Sequence, residues 1–501
     1  VSDDKIADLA AERDRKRRTS GGGGSSARGR LILDPRHPDD IAGKFLAAHH
    51  TDAAGRKTLL HHLGLSYRWE GTCWGVIEPA HLRAAIYAYL RPAWRETAKG
   101  DLEEFGANRS IVADIVDALA ARVQLDTRVA APAWLDEKPA DLDAGDILAC
   151  RNVLLHLPTQ TRLLHTPSLF TVNAVDYDYD PEAGCPRWFA FLEEVLPDDA
   201  EAIDQLQKMA GYLLTPDTRQ QKAFLLLGPP RSGKGTIGRV LKALIGARNV
   251  VAPGLSSLAT TFGAEQLINM RLALISDARL GHWVDDQTII EWMLRITGED
   301  QVTVQRKFLP SWSGQLPMRF MMLSNALPHF MDSGGAFAGR WIILRFTQSF
   351  VGREDETLTD ALLAELPGIL NWALAGLAQL RTARRFAQPS SSAGLVQRWV
   401  DLVNPMAAFL RQECVIAPVA EIDKEQLWQA WRDWCVDQGI GKPGSKASFG
   451  KALIAEVPTL LNKRSPRQYH EITGAPLPRG RLYGGLRLKE ETERDDREDA
   501  G

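Results

Sequence analysis

The chain has 501 residues, 45% of them apolar and 25% charged, with a formal net charge of −3. That is the composition of a globular chain with room for roughly three domains, and it excludes a chain disordered throughout, a collagen and a disulfide-stapled miniprotein. So small a net charge announces no partner, and any nucleic-acid surface has to be a local patch.

Residues 1–31 read as a disordered tail. Arg13, Arg15, Lys16, Arg17 and Arg18 precede Gly21 to Gly24, a run that cannot bury enough apolar surface to offset its ordering entropy. Its basic cluster is read either as a nucleic-acid contact or as a solvated linker. The first residue is Val rather than Met, so a fragment or an alternative start codon is expected. Residues 32–200 are expected to form a mostly helical domain. Within it, Leu65 to Ile77 reads as a hairpin, His81–Leu90 and Ser110–Val123 as helices, and Ala130 to Ala144 as a linker rich in Pro, Asp and Ala. Strand-like pieces follow near Asp146–Leu157 and Leu169–Val175. Asp176, Asp178 and Asp180 alternate as metal-binding carboxylates on a strand would, but Pro181 follows at once. A solvated strand end is the better reading. The pairs His49/His50 and His61/His62 lack acidic or Cys partners in ligand spacing.

Pro186 to Leu214 reads as helical, and Ala223 to Leu227 as a strongly apolar strand. Residues 201–382 then repeat strand, loop and helix, which argues for a parallel α/β core. Residues 383–404 are polar and contain Ser and Pro, and read as a linker. Residues 405–490 read as a basic unit of two or three helices and a strand pair, and residues 491–501 as an acidic tail. Five cysteines with no Cys-x-x-Cys pair argue against zinc and against a disulfide framework. The longest apolar stretch, Gly368 to Leu380, is too short to span a bilayer. With no signal peptide or lipidation motif in view, a reducing cytoplasm is expected.

The sharpest motif is Gly228-Pro229-Pro230-Arg231-Ser232-Gly233-Lys234-Gly235-Thr236. An apolar strand precedes it and an amphipathic helix follows, the setting of a phosphate-binding P-loop. Glycines let backbone N–H groups curl round an anion, and Lys234 supplies a point charge for the terminal phosphates. The residue after the lysine is usually Ser or Thr and ligates Mg²⁺; here it is Gly235, with Thr236 next. Thr236 therefore stands either as the metal ligand or as a phosphate ligand. Downstream, Arg271 to Ser276 is an apolar strand ending at Asp277, the shape of an acidic Mg²⁺-binding and water-polarising strand end. Asp285, Asp286 and Glu291 are nearby alternatives for that carboxylate. A further strand from Met318 ends in Ser324-Asn325, placed to orient water, and Gly339-Arg340-Trp341 leads into another.

Taken together, these motifs resemble the superfamily III helicases of the AAA+ class, specifically the helicase part of phage and plasmid primase–helicase proteins related to the poxvirus one. Tyr67 to Gly71, Thr166 to Phe170, Cys185 to Trp188, Ile296 to Asp300 and Glu365 to Leu377 extend the resemblance over about residues 40 to 490. It implies an AAA+ core over 201–382, ATP and Mg²⁺ as cofactors, a hexameric ring and unwinding of DNA, with a separate primase as a possible partner. By position it makes Lys234 the phosphate lysine, Asp277 the acidic residue, Asn325 the sensor and Arg340 an arginine finger. Gly235 and Ser276 depart from the family pattern. The resemblance also implies a pore hairpin, for which Arg306, Lys307 and Phe308 are the DNA-contacting candidates. Its rival is a hairpin with Phe308 and Trp312 buried and the two cations on the surface.

From 441 to 490 there are ten basic and three acidic residues, a local excess of +7. Lys446, Lys451, Arg464, Arg467 and Arg481 are its DNA-binding candidates, on a helix followed by a basic strand pair that reads as a winged helix. A solvated basic surface is the alternative. Trp428, Trp431 and Trp434, at helical spacing, read as core. Two other functions fit the same motifs: a DNA-binding ATPase that assembles without unwinding, such as an initiator or interference factor, and a small-molecule nucleotide kinase with a Gly-Lys-Gly-Thr loop.

Overall fold

The computed structural model describes residues 30–136, 138–276, 286–328, 337–440, 443–465 and 480–490. Residues 1–29 of the first expected tail, the acidic residues 491–501, Asp277, Asp285 and Arg467 lie outside the described residues, whereas Leu31, expected in the tail, packs against the first unit's core. The chain divides into two compact units: residues up to 144 together with 164–172, and residues 145–163 together with 173 onward.

The first unit is mixed rather than mostly helical. Helices Pro38–His49, Pro79–Leu90 and Arg109–Arg122 enclose Ile41, Phe45, Ile86, Ile115 and Leu119. Two begin with proline at the first helical turn, where its missing N–H costs nothing, and the third is capped by Asn108, which accepts from the Ile111 N–H. The hairpin lies where aromatic alternation placed it, with strands Leu65–Trp69 and Trp74–Val76 in antiparallel register and Leu59–His62 added outside. Short segments rich in aromatic and branched residues favour strands over helix, and this is why the unit carries more sheet than expected. Trp74 is fully buried and its indole N–H reaches the Leu169 carbonyl at 3.1 Å.

In the second unit, helices α1 (Pro186–Val195) and α2 (Ala200–Leu213) lead into strand β1 (Ala223–Leu227), and α3 (Lys234–Leu244) follows the loop. Strands β2 (Val250–Val251), β3 (Leu272–Ser276), β4 (Arg319–Ser324) and β5 (Trp341–Arg345) complete a five-stranded, all-parallel sheet in the order β5-β1-β4-β3-β2. Every residue of β1 is buried, as an interior parallel strand covered on both faces requires. The period of two assigns its side chains. Phe224 and Leu226 join the face packed by α1, α2, α3 and α6 (Leu366–Ala383). Leu225 and Leu227 join the face packed by α4 (Asp286–Thr297). Because all five strands point the same way, the loops after β1, β3 and β4 gather at one edge of the sheet.

Three expectations need correction. The boundary near residue 200 is replaced by one near 145. Trp188, Phe191, Leu192 and Val195 form an apolar stripe on α1, and it is buried in the same core as Phe224 and Ile237. The first unit's strands overturn the mostly helical expectation. The supposed linker 383–404 holds a helix, α7 (Ala393–Val403), after α5 (Leu358–Ala364) and α6. Its Trp399 is wholly buried against Phe337 and Trp341, and the indole N–H donates to the Pro328 carbonyl at 2.8 Å. A polar composition concealed one apolar face.

Helices α2 and α6 touch backbone to backbone. A Cβ on Gly211 would stand 2.2 Å from the Ala373 carbonyl oxygen, and one on Gly376 2.3 Å from that of Gln207. The end of α2 is closed by the buried Arg319, whose guanidinium donates to the carbonyls of Tyr212 and Thr215 at 2.7 and 2.6 Å. Among the described residues no single helix is long and apolar enough to cross a membrane, although α5 and α6, bent by 71°, pass on composition together.

The C-terminal part runs α8 (Pro405–Glu413), β6 (Cys414–Asp423), α9 (Lys424–Asp437), α10 (Lys446–Glu456), β7 (Leu461–Arg464) and β8 (Arg481–Leu488). Its antiparallel sheet has the order β6-β8-β7. Trp431 and Trp434 stack at 5.4 Å inside a core with Phe409, Phe449 and Leu486, and Trp428 packs against it. A reciprocal Ser445–Ser448 capping box starts α10.

Candidate nucleotide site

The loop between β1 and α3 is a closed cradle. Gly233 has φ +88° and ends the loop in the left-handed region, and a Cβ there would lie 2.6 Å from Val195 of α1. Gly228 is equally constrained, since a Cβ would lie 2.4 Å from the Phe346 carbonyl oxygen. Phe350 N–H donates to the Arg231 carbonyl at 2.9 Å, and Ser349 Oγ to that of Pro230 at 2.9 Å, so the loop is clasped from outside.

Lys234 Nζ folds back onto this cradle. It donates to the carbonyls of Gly228 and Pro229, each at 2.7 Å, and to Ser232 Oγ at 3.0 Å. Burial lowers its pKa, because a desolvated ammonium loses water that three oxygens only partly replace. An anion in the loop would supply the missing countercharge. A cavity of about 390 Å³ opens here, bordered by Lys234, Gly235, Thr236, Ser276 and Asn325. The exposed ends of β3 and β4 thus stand beside the loop, and Ser276 and Asn325 border the same cavity as Lys234. Thr236 and Ser276 offer hard hydroxyl oxygens of the kind Mg²⁺ takes. Asp277 follows Ser276 directly, outside the described residues. Glu291, one of the alternatives to it, pairs with Arg295 at 3.6 Å.

A second cavity of about 170 Å³ adjoins the first and shares Arg231, Gly233, Thr236 and Arg239 with it. Phe191, Val195, Phe350 and Leu358 supply its apolar surface. Val195, Phe350, Leu358 and Arg239 were not singled out from the sequence. The available signal was Gly235 in place of the usual hydroxyl residue with an arginine four positions later.

Arg340 lies at the other edge of the sheet. It precedes β5, and its guanidinium donates to the Leu294 carbonyl and Thr297 Oγ1, both at 2.8 Å. Arg345, at the loop end of β5, is paired in register with Leu227 and is exposed.

The hairpin Val302–Val304 with Trp312–Gly314 forms in antiparallel register. Neither expected burial pattern holds. Arg306 is buried, 8% exposed, with Nε donating to the Pro310 carbonyl at 2.8 Å, so it is withdrawn from the DNA-contacting set. Phe308 is 92% exposed at φ +62°, with Lys307 Nζ 5.2 Å from its ring centre. Seven residues connect the two strands, and Phe308, at their centre, takes a left-handed position that leaves its ring outward.

In the C-terminal part Lys446 is paired with Glu425, while Lys451 is exposed on α10. Arg464 and Arg481 are exposed and directly opposite each other on β7 and β8. Like charges so placed repel. Lys424 lies nearby, over the Tyr483 ring at 4.1 Å, with its pKa lowered by desolvation and then by Arg481.

Comparison with known proteins gives two matches along the chain. Residues 43–197 match a family described as D5 N terminal like. Residues 226–340, which hold the loop and the ends of β3 and β4, match a family of unknown function, DUF5906. Among solved structures, the apo C-terminal region of NrS-1 (residues 305–718 of that protein) aligns with 89% of this chain and 99% of its own, at TM-score 0.48 and 11% identity. Its A form aligns over the same shares at TM-score 0.45 and 12% identity.

Proposed function

We propose that this chain is a DNA helicase of the AAA+ superfamily III type, acting in phage- or plasmid-type replication as a ring that hydrolyses ATP with Mg²⁺. One observation carries the reading: the P-loop leaves β1, an interior strand of a β5-β1-β4-β3-β2 parallel sheet, and the two strands next on one side of it, β4 and β3, end at Asn325 and Ser276 beside the loop. That order lets one bound nucleotide meet the loop and both strand ends at once. The D5 N terminal like match of residues 43–197 supports the same family.

In this reading Lys234 leaves the loop carbonyls for the β- and γ-phosphates, and the loop amides and the start of α3 hold the rest of the charge. Thr236, with Asp277 beyond Ser276, would hold the metal, which screens the phosphates. Asn325 orients the attacking water. The nucleoside lies on Phe191, Phe350 and Leu358. Arg340 reaches the nucleotide of a neighbouring copy. The helix–strand order of residues 405–490 is that of a winged helix, and Arg464, Arg481 and Lys451 take phosphates there. Phe308 and Lys307 are suited to follow a single strand, the ring against a base and the ammonium near a phosphate.

The test is ATP turnover with and without single-stranded DNA, followed by strand displacement on a forked duplex, with Lys234→Ala as control. DNA-stimulated turnover and displacement, both lost in the control, are expected. Turnover that responds to a nucleoside monophosphate and not to DNA would make the chain a kinase. Stimulated turnover without displacement would make it a non-unwinding ATPase.

A further inference from the structure

Gly235 and Arg239 are four residues apart on α3 and share one face of the helix. A Cβ on Gly235 would lie 3.5 Å from Arg239 Nη1. The place where a P-loop ordinarily carries a hydroxyl side chain is thus bordered by a guanidinium. Arg239 Nη2 donates to Thr236 Oγ1 at 3.0 Å and to Thr359 Oγ1 of α5 at 3.2 Å, with Nε also near Thr359 at 3.3 Å. One arginine therefore ties the loop helix to α5.

Four arginines border the smaller cavity. Arg187 pairs with Asp355 at 3.3 Å and Arg231 with Glu354 at 3.5 Å. Arg353 lies over Phe350 and donates to the Ser349 carbonyl. Among the described residues Arg239 donates to hydroxyls and, like Arg353, is in no ion pair, so its partners are neutral. It belongs, with Arg231, to the wall common to both cavities, and of these two arginines Arg231 is the one paired with a carboxylate. A nucleotide with terminal phosphates at Lys234 and its nucleoside on Phe191 and Phe350 has its α-phosphate at that wall.

We infer that Arg239 is the α-phosphate ligand of the same subunit, and that it exchanges Thr236 and Thr359 for this phosphate when nucleotide binds. The inference rests on the nucleotide-binding reading of the loop. The exchange frees the Thr236 hydroxyl for phosphate or metal and detaches α5 from α3, so occupancy of the loop is passed to the α5–α6 segment. A planar fork suits two phosphate oxygens better than a point charge does.

The experiment is calorimetric binding of ADP and of inorganic pyrophosphate to the full chain with Mg²⁺. Arg239→Ala is expected to weaken ADP by about 10–100-fold, the range for hydrogen bonds to a charged group, and to leave pyrophosphate unchanged. Arg239→Lys should restore only part of the ADP affinity. Thr359→Val, which removes the resting contact, should bind ADP at least as tightly as the wild type. Wild-type ADP affinity in Arg239→Ala, equal losses for ADP and pyrophosphate, or a loss in Thr359→Val matching that of Arg239→Ala would each overturn the assignment. If the wild type binds neither probe, the reading of the loop itself fails; if it binds both and only the Arg239 expectations fail, that reading stands.

Discussion

Arg340 has a local job in the free chain and a proposed one in an assembly, and two substitutions separate them. The strand β5 runs from Trp341 to Arg345, and Arg345 is level with Leu227 at the loop edge. At about 3.3 Å per residue, five residues place Arg340 about 16 Å from that edge. It cannot reach the nucleotide of its own subunit, so a catalytic role requires a neighbour. Locally it donates to the Leu294 carbonyl and Thr297 Oγ1. For a half-exposed guanidinium, losing both contacts in Arg340→Ala should cost about 1–3 kcal/mol of stability, and losing one acceptor in Thr297→Val about 1 kcal/mol. A lost finger costs about 10³–10⁵ in turnover, or about 4–7 kcal/mol of barrier. Urea unfolding and ATP turnover should therefore diverge. Thr297→Val is expected to lose stability and keep turnover, while Arg340→Ala keeps nucleotide binding and loses turnover. Mixing Arg340→Ala with Lys234→Ala should return part of the activity, because some interfaces then join an intact loop to an intact arginine. Wild-type turnover in Arg340→Ala would falsify the reasoning, make Arg340 a brace for α4, and leave Arg345 as the arginine to examine.

Trp399→Ala empties a wholly buried site and breaks the bond to Pro328, so it should destabilise by about 3–5 kcal/mol in urea unfolding; a negligible change would place α7 outside the core. Replacing Arg464 and Arg481 together by Ser should lower the slope of log affinity for duplex DNA against log salt by about 1.8, at about 0.9 per phosphate contact, and an unchanged slope refutes phosphate binding there. Burial pushes the Cys150 thiol up to about 12 and those of Cys185 and Cys435 up to about 11. At pH 8 these side chains are neutral thiols, so alkylation of the native chain should be slow and should become fast only in denaturant; equal rates in both would show that they are accessible.

Local pattern was enough for the elements that carry the phosphate loop. Ala223 to Leu227 is apolar throughout, the loop has its glycines, and Ile237, Val240, Leu241 and Leu244 recur at helical spacing. The same held for the aromatic hairpin and for the tryptophans of α9. Local pattern failed where a partner decides the outcome. Arg306 and Phe308 exchange the burial expected of a cation and an aromatic, because a left-handed turn residue sets which side chain points out. Residues 383–404 contain enough Ser and Pro to look like linker, yet the apolar residues of α7 meet Phe337 and Trp341 from a different part of the chain.

By itself, then, the sequence determined which residues are strand, loop and helix around Lys234, since apolar period, glycine placement and capping act within a few residues. Only the tertiary structure decided which strand ends meet. The parallel order put Ser276 and Asn325 beside the loop and Arg340 at the opposite edge, and the packing of α1 and α5 on α3 set Phe191 and Thr359 against it. Those neighbours are 42 to 125 residues from Lys234 along the chain in one direction or the other. Contacts at that separation depend on how whole elements bury their apolar faces, a condition that no short stretch of sequence contains.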